Sequence, residues 1–141
     1  MKKLTISDTI KEVTKVELDA LAIDNQIELP EEYVSFMVDY GGTELLENLY
    51  DGRHDINFVL PIDSKRNACV RLILEAYTKE VHTKYWLPFA IDSGGWVFCY
   101  STAPDSMGHI YIDKFGSGED PQHVFLEVSL DAFIAKFAEQ E

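Results

Sequence analysis

Apolar side chains recur at helical spacing in three segments of the chain, and each segment predicts a helix with one buried face. The clearest segment begins at Pro30, which suits the first helical position, and ends at Gly41, which suits a left-handed cap. Asp63 or Ser64 is available to cap the second segment, and Ser129 the third. The predicted buried residues are Tyr33, Phe36, Met37 and Tyr40 in the first segment, Val70, Ile73, Leu74, Tyr77 and Val81 in the second, and Leu130, Phe133, Ile134 and Phe137 in the third.

A further helix is predicted near the beginning of the chain. Thr9 and Glu12 have the spacing of a capping box, in which a hydroxyl and a carboxyl satisfy backbone N–H groups of the first turn. The alternative is a frayed start, with the helix beginning nearer Thr14. The predicted buried face consists of Val13, Val16, Ala20 and Ile23, which follow at helical spacing.

Shorter runs rich in β-branched and aromatic residues predict strands. Residues 56–62 predict a short strand, in which Ile56, Phe58 and Leu60 fall on one face. Residues 87–92 and 96–101 are two apolar runs joined by a Ser-Gly-Gly turn, the pattern of a β-hairpin. Asp92 stands where such a turn needs a short polar acceptor. Residues 109–115 predict a further strand, and residues 122–128 an edge strand.

The order of these elements predicts the fold class. Helices come first, then a strand, a helix, a block of strands and a closing helix, which indicates an α+β fold. The short connections favour a mostly antiparallel sheet of four to six strands, with the helices packed mainly on one face. A length of 141 residues suits a single domain spanning residues 1–141.

The charge balance is the strongest feature of the composition. The chain has 12 Lys and Arg against 25 Asp and Glu, a formal net charge of -13. Such a field repels nucleic acid and anionic membranes, because both require cationic partners. It attracts cationic proteins and accelerates encounter with them. The alternative is that the acidity only keeps the protein soluble.

The remaining composition indicates a cytoplasmic protein. No stretch approaches the ~20 apolar residues that a membrane helix needs. The first residues lack the apolar region of a secretory signal. Cys69 and Cys99 each lie in an apolar run, as expected for buried thiols in a reducing compartment.

We expect no catalytic residue, no metal site and no cofactor. The run Asp92-Ser93-Gly94-Gly95 is similar to the nucleophile segment of chymotrypsin-like serine proteases, but Ile91 stands where that family has glycine. A tight turn explains the run better. The histidines lack metal-ligand spacing, and the Gly-Ser-Gly at residues 116–118 is not followed by the Lys-Ser/Thr of a phosphate-binding loop.

Two blocks of the sequence resemble the signature of the SUKH superfamily, the Smi/Knr-type domain. The first block is Leu29-Pro30-Glu31-Glu32-Tyr33-Val34-Ser35-Phe36-Met37, followed by Tyr40-Gly41-Gly42. The second is Leu87-Pro88-Phe89-Ala90-Ile91-Asp92-Ser93-Gly94-Gly95. His109-Ile110-Tyr111-Ile112 is similar to the strand that follows in the family, and residues 129–134 to its closing helix. The sequence differs from the family signature at Tyr40, where the family usually has Asn.

The resemblance implies an α+β fold without enzymatic activity. Bacterial members are typically immunity proteins that bind and neutralise a cognate toxin, often a nuclease, of a polymorphic or contact-dependent toxin system. We therefore expect a cytoplasmic immunity protein whose partner is a cationic protein toxin, with no nucleic acid and no membrane as partner. The alternatives are a housekeeping regulatory interaction module without a toxin partner, and a small hydrolase that uses Ser93 or a pair of carboxylates.

The expected partner-binding surface combines acidic loops with exposed aromatic residues, since aromatic anchors ringed by charge are typical of tight interfaces. Trp96 and Tyr100 are the candidate anchors, and the alternative is that both belong to the core. The expected partner-binding residues are Asp51, Asp55, Asp92, Trp96, Tyr100, Asp105, Glu119 and Asp120.

Overall fold

The computed structural model describes residues 2–114 and 121–140 and contains four helices and nine strands there. The helices are α1 (Lys15–Asn25), α2 (Glu31–Tyr40), α3 (Val70–Tyr77) and α4 (Leu130–Ala135). The strands are β1 (Ile6–Thr9), β2 (Thr43–Leu45), β3 (Leu49–Tyr50), β4 (His54–Val59), β5 (Trp86–Asp92), β6 (Val97–Ser101), β7 (Ile110–Asp113), β8 (His123–Glu127) and β9 (Phe137–Ala138).

Seven of the strands form one curled antiparallel sheet in the order β8-β7-β6-β5-β4-β3-β9, and β1 pairs separately with β2. The predicted α+β class and the mostly antiparallel sheet are confirmed. The sheet has one strand more than the upper end of the predicted range. The reason is that β3 and β9 are two residues each, too short for an alternating pattern to reveal them.

The core lies mainly on one face of the sheet. There Phe98 of β6 and Phe133 of α4 are completely buried, and all four helices contribute buried side chains. A smaller cluster covers the other face, where Tyr77 in the last turn of α3 packs with Val97 and Cys99. Apolar burial on both faces explains why strand β6 has no exposed residue.

Helix α1 begins at the later of the two predicted positions. Thr14 is the N-cap, its hydroxyl accepts from the Glu17 backbone N–H, and the Glu17 carboxylate accepts from the Thr14 backbone N–H. Thr9 instead ends strand β1. The predicted buried face is wrong apart from Val13, because Leu18 and Leu21 fill the core side of the helix. The other predicted residues, Val16, Ala20 and Ile23, are exposed to solvent.

Helix α2 confirms its predicted buried stripe, since Tyr33, Phe36, Met37 and Tyr40 are all buried. Its predicted left-handed cap is wrong at Gly41, which has φ -57°. Gly42 has the positive φ, at 69°. A Cβ at Gly42 would stand 1.6 Å from the Lys11 carbonyl oxygen, because the Gly42 carbonyl accepts hydrogen bonds from Ile10 and Lys11.

Helix α3 is shorter than predicted at both ends. It starts after Cys69, and the Ser64 hydroxyl accepts from the Asn67 backbone in the preceding turn instead of capping the helix. Val81 lies beyond the helix and is 77% exposed, so its predicted burial is wrong. Across the described ranges, 2–114 and 121–140, the helices lack the length and apolar character needed to cross a membrane.

Candidate functional site

Two hairpin turns meet at one end of the large sheet and bring together several of the predicted partner-binding residues. The turn between β3 and β4 carries Asp51, which adopts a positive φ of 51°. The turn between β5 and β6 carries Trp96. Ile56 pairs with Asp92 across β4 and β5, so Asp55 lies beside the second turn. We call Asp51, Asp55 and Trp96 the hairpin-end surface.

Asp92 stabilises the second turn and is 7% exposed. One of its carboxylate oxygens accepts from the Gly94 backbone at 2.9 Å and from the Trp96 backbone at 2.8 Å. Burial raises the pKa of Asp92, and the two backbone hydrogen bonds oppose part of that rise. The carboxylate is therefore used inside the protein, which corrects its expected place on an exposed acidic loop.

Ser93 donates its hydroxyl hydrogen bond to the Asp55 carboxylate. A nucleophilic serine requires a base that accepts its proton, and in a Ser-His-Asp site this base is an imidazole. Here the carboxylate takes the position next to the hydroxyl. The bond joins β4 to the turn between β5 and β6, so its evident effect is to hold the two turns together.

The two candidate aromatic anchors occupy different environments. Trp96 is partly buried, with the Lys114 ammonium 4.9 Å from its ring centre and the His54 ring 6.2 Å away. Tyr100 is 4% exposed, and its ring lies 5.9 Å from Tyr33 in the core. Tyr100 is thus a core residue rather than an exposed anchor, because the face of β6 that carries it packs against α2.

Asp105 lies at the opposite end of the sheet from the hairpin-end surface. It belongs to the exposed connection between β6 and β7, whereas Trp96 precedes the start of β6. The structure therefore separates Asp105 from Asp51, Asp55 and Trp96. Glu119 and Asp120 lie outside the described residues.

Asp51 and Trp96 of the hairpin-end surface also line a cleft of about 430 Å³ that the curl of the sheet forms. At its base the Tyr50 hydroxyl donates to Glu127 at 2.5 Å, and the Lys136 ammonium lies 2.7 Å from the same carboxylate oxygen. Burial, together with the bond to Glu127, raises the pKa of Tyr50 far above its usual value. The hydrogen bond to Glu127 also raises the pKa of Lys136.

The cleft gives this end of the sheet a mixed charge, since Arg53, Lys114 and Lys136 line it together with Asp51 and Glu127. This arrangement is not among the features that the sequence predicts. Tyr50 and Glu127 are 77 residues apart, and only the curl of the sheet brings them into contact. No local pattern signals such a pair.

The other face of the sheet carries a buried cluster of polar side chains that contact one another. Tyr77 donates to Asp113 at 2.7 Å and lies 3.4 Å from the Cys99 sulfur. Burial raises the pKa of the Cys99 thiol, which keeps it protonated and unreactive at neutral pH. Among residues 2–114 and 121–140, no group of three or more His, Cys, Asp or Glu side chains is placed to hold a metal ion.

Comparison with known protein families identifies the domain. The family model described as "SMI1 / KNR4 family (SUKH-1)" matches residues 12–136. This match extends from just before α1 to the end of α4, and includes both blocks on which the resemblance rests. No curated protein matches the sequence. Because the family model covers most of the chain, the protein belongs to the SMI1 / KNR4 family (SUKH-1).

Proposed function

We propose that this protein is a cytoplasmic immunity protein of a polymorphic or contact-dependent toxin system. It binds a cognate protein toxin in a stoichiometric complex and neutralises it without catalysis. The observation that carries the proposal is the family match over residues 12–136, since an immunity role is consistent with the SUKH-1 family.

The charge of the chain supports a cationic toxin as the partner. With 25 acidic and 12 basic residues, the formal net charge is -13. Nuclease toxins need cationic surfaces to hold nucleic acid, and an acidic inhibitor is complementary to such a surface. The long-range attraction also accelerates association, which benefits a protein that must bind its target before damage occurs.

The hairpin-end surface is the contact region that we propose first. Asp51 is exposed at a turn, and the partly exposed Trp96 supplies a large ring beside it. The bond between Ser93 and Asp55 ties the two turns together, so the surface is preorganised before the partner arrives. A rigid aromatic residue next to charged side chains is a favourable composition for an interface centre.

Co-expression with the toxin domain encoded beside this gene tests the proposal. We expect cells that produce both proteins to grow, and the purified proteins to form a 1:1 complex in calorimetry. If cells producing both proteins die as fast as cells producing the toxin alone, the proposal is wrong.

Two isosteric variants locate the contact. Asp51→Asn should weaken binding, whereas Asp105→Asn, at the opposite end of the sheet, serves as the matched control. The expected difference is about tenfold in Kd, the typical effect of a charge in a well-packed contact. Equal affinities for these two variants would place the interface elsewhere.

Stoichiometry separates neutralisation by binding from an enzymatic alternative. A binder protects only up to its own molar amount, whereas a hydrolase that destroys the toxin protects at a small fraction of that amount. We also expect Ser93→Ala to protect at equimolar amounts, with a higher Kd because the bond between the two turns is lost. Protection by one molecule of this protein per ten of toxin, abolished by Ser93→Ala, would favour the hydrolase.

A further inference from the structure

The outward face of helix α1 carries an apolar stripe. Val16 is 77% exposed and Ile23 is 76% exposed, and Ala20 between them is also exposed. These positions are i, i+4 and i+7, so the three side chains form a row along one face of the helix. The opposite face is occupied by the buried Leu18 and Leu21. We call Val16, Ala20 and Ile23 the α1 stripe.

Isolated apolar residues on a protein surface are normal, but a continuous row on one helix indicates a contact surface. Helix α1 already buries Leu18 and Leu21 against the core, so the α1 stripe is not needed to hold the helix in place. The helix is therefore apolar on two opposite faces. The face with Leu18 and Leu21 packs against the core, and the face with the α1 stripe is exposed to solvent among the described residues.

Carboxylates border the α1 stripe on both sides. With 3.6 residues per turn, Asp19 falls on one side of the row, and Glu17 and Asp24 fall on the other. The surroundings are acidic as well, since residues 15–40 contain seven Asp and Glu and only one Lys. Two cations lie beside these carboxylates: Lys15 pairs with Asp19, and Arg71 of α3 lies 2.9 Å from Asp24. The Glu17 carboxylate accepts the Thr14 backbone hydrogen bond and has no cation beside it in these pairs, so the three bordering carboxylates keep an excess of negative charge. The Lys15 pair is exposed, where an ion pair is weak and readily exchanged.

We propose that the α1 stripe is a docking face for a cationic amphipathic segment of a partner protein. The segment presents an apolar row to Val16 and Ile23, and Lys or Arg side chains on either side of that row to the bordering carboxylates. This occupant is proposed because its cationic side chains are complementary in charge to those carboxylates. The cationic character of the partner agrees with the proposed function and rests on it, whereas the position of the docking face rests on the exposed row alone.

The same charges argue against other occupants. A second copy of this chain would bring two strongly acidic helix surfaces together, and like charges in an interface are unfavourable. Anionic lipid is repelled for the same reason. The first experiment below can still detect a second copy of the chain or an anionic membrane at this face.

The first experiment uses the purified full chain and a synthetic 18-residue amphipathic peptide built from Leu and Lys, with a Leu and Glu peptide of the same pattern as control. We expect the Lys peptide to shift the NMR amide signals of residues 15–25 and to bind more weakly as salt rises. Ile23→Lys should weaken binding by about tenfold or more, because it replaces an apolar contact with like charge. Val81→Lys is the matched control, since Val81 is 77% exposed in the turn after α3.

Several results would overturn the inference. They are equal binding of the Glu peptide, shifts centred outside α1, and equal losses for Ile23→Lys and Val81→Lys. A wild-type dimer that Ile23→Lys dissociates in sedimentation would identify a second copy as the occupant. Binding to vesicles of anionic lipid that Ile23→Lys strengthens would identify a membrane.

The second experiment uses the toxin domain and distinguishes this inference from the proposed function. If the wild-type protein protects cells and Ile23→Lys protects equally well with unchanged Kd, the docking face is wrong and the proposed function stands. If the wild-type protein does not protect, the proposed function is wrong, and the peptide experiment alone decides the inference. Circular dichroism of Ile23→Lys checks that α1 is still folded, as expected for an exposed position.

Discussion

The hydrogen bond between Tyr50 and Glu127 should hold the curl of the large sheet. Tyr50 belongs to β3 and Glu127 to the edge strand β8, and four strands separate β3 from β8 in the sheet order. Tyr50→Phe removes only the hydroxyl. The aromatic contact with Phe133, at 4.4 Å between ring centres, remains available to the new ring. The variant therefore tests the polar link without creating a cavity.

The structure sets the expected magnitude. A hydrogen bond to a charged group contributes about 1.5–3 kcal/mol. The Glu127 side chain is 9% exposed, so water replaces the lost hydroxyl poorly, but Lys136 remains beside the carboxylate. These effects together predict a loss of about 2 kcal/mol in the free energy of unfolding. With a urea dependence of about 2 kcal/mol per molar, the unfolding midpoint falls by about 1 M.

Urea unfolding followed by tryptophan fluorescence measures this loss, since both tryptophans, Trp86 and Trp96, lie in or beside the large sheet. Tyr85→Phe is the matched control, because Tyr85 is 48% exposed and should change the midpoint little. A double-mutant cycle with Glu127→Ala, which removes the acceptor, isolates the pair and should give a coupling of about 1 kcal/mol or more. A loss below about 0.5 kcal/mol, with no coupling, would show that this hydrogen bond does not hold the curl of the sheet.

Three further predictions test the core, the start of α1 and the buried phenols. Phe133→Ala should lower the free energy of unfolding by about 3–5 kcal/mol because the ring is completely buried. The control Phe125→Ala should lower it by about 1 kcal/mol because that ring is half-exposed, and urea unfolding measures both. Thr14→Ala should lower the free energy of unfolding by about 1 kcal/mol because the helix cap is lost, whereas Thr9→Ala should change it by less than about 0.5 kcal/mol. Equal effects of the two variants in thermal unfolding would contradict a helix that starts after Thr14. Burial raises the pKa of Tyr33, so the stability that this group contributes is complete below pH about 10 and is lost as the pH rises further. Circular dichroism at rising pH should therefore show a shallower loss of stability for Tyr33→Phe than for the wild type, and identical pH profiles would show that burial of this phenol is not responsible.

Much of the fold was predictable where local signals agree with each other. Helix α2 combines a proline start, acidic residues in its first turn and a single apolar face, and its buried stripe is the predicted one. The hairpin of β5 and β6 follows from two apolar runs around Ser-Gly-Gly, with Asp92 accepting the turn's hydrogen bonds. Ser129 caps α4 as predicted, with its hydroxyl accepting from Ala132.

Helix α1 shows where the pattern was ambiguous. Its sequence contains two apolar rows at helical spacing, one with Leu18 and Leu21 and one with Val16 and Ile23. Either row could face the core, and periodicity alone does not choose between them. The tertiary packing places Leu18 and Leu21 in the core, so the other row is left on the surface. The same choice creates the α1 stripe.

The candidate site was predictable only in part. Asp51, Asp55 and Trp96 come together because two turns end at the same side of the sheet, which follows from the register of β4 and β5. Tyr100 is buried, although its sequence environment resembles that of Trp96, because burial of a strand residue depends on what packs over its face. Asp105 lies at the other end of the sheet, a separation that becomes visible only once the strand directions are known.

Local sequence patterns and composition are enough to predict the α+β class, most of the helices, the central hairpin, the acidic character and the resemblance to the SUKH family. These features depend on neighbouring residues and on composition, so they are present before the chain folds. Tertiary packing sets which face of α1 is buried, brings Tyr50 and Glu127 into contact, and places certain acidic residues on the same surface. Each of these depends on contacts between distant segments, and their free energy comes from packing and desolvation in the folded chain.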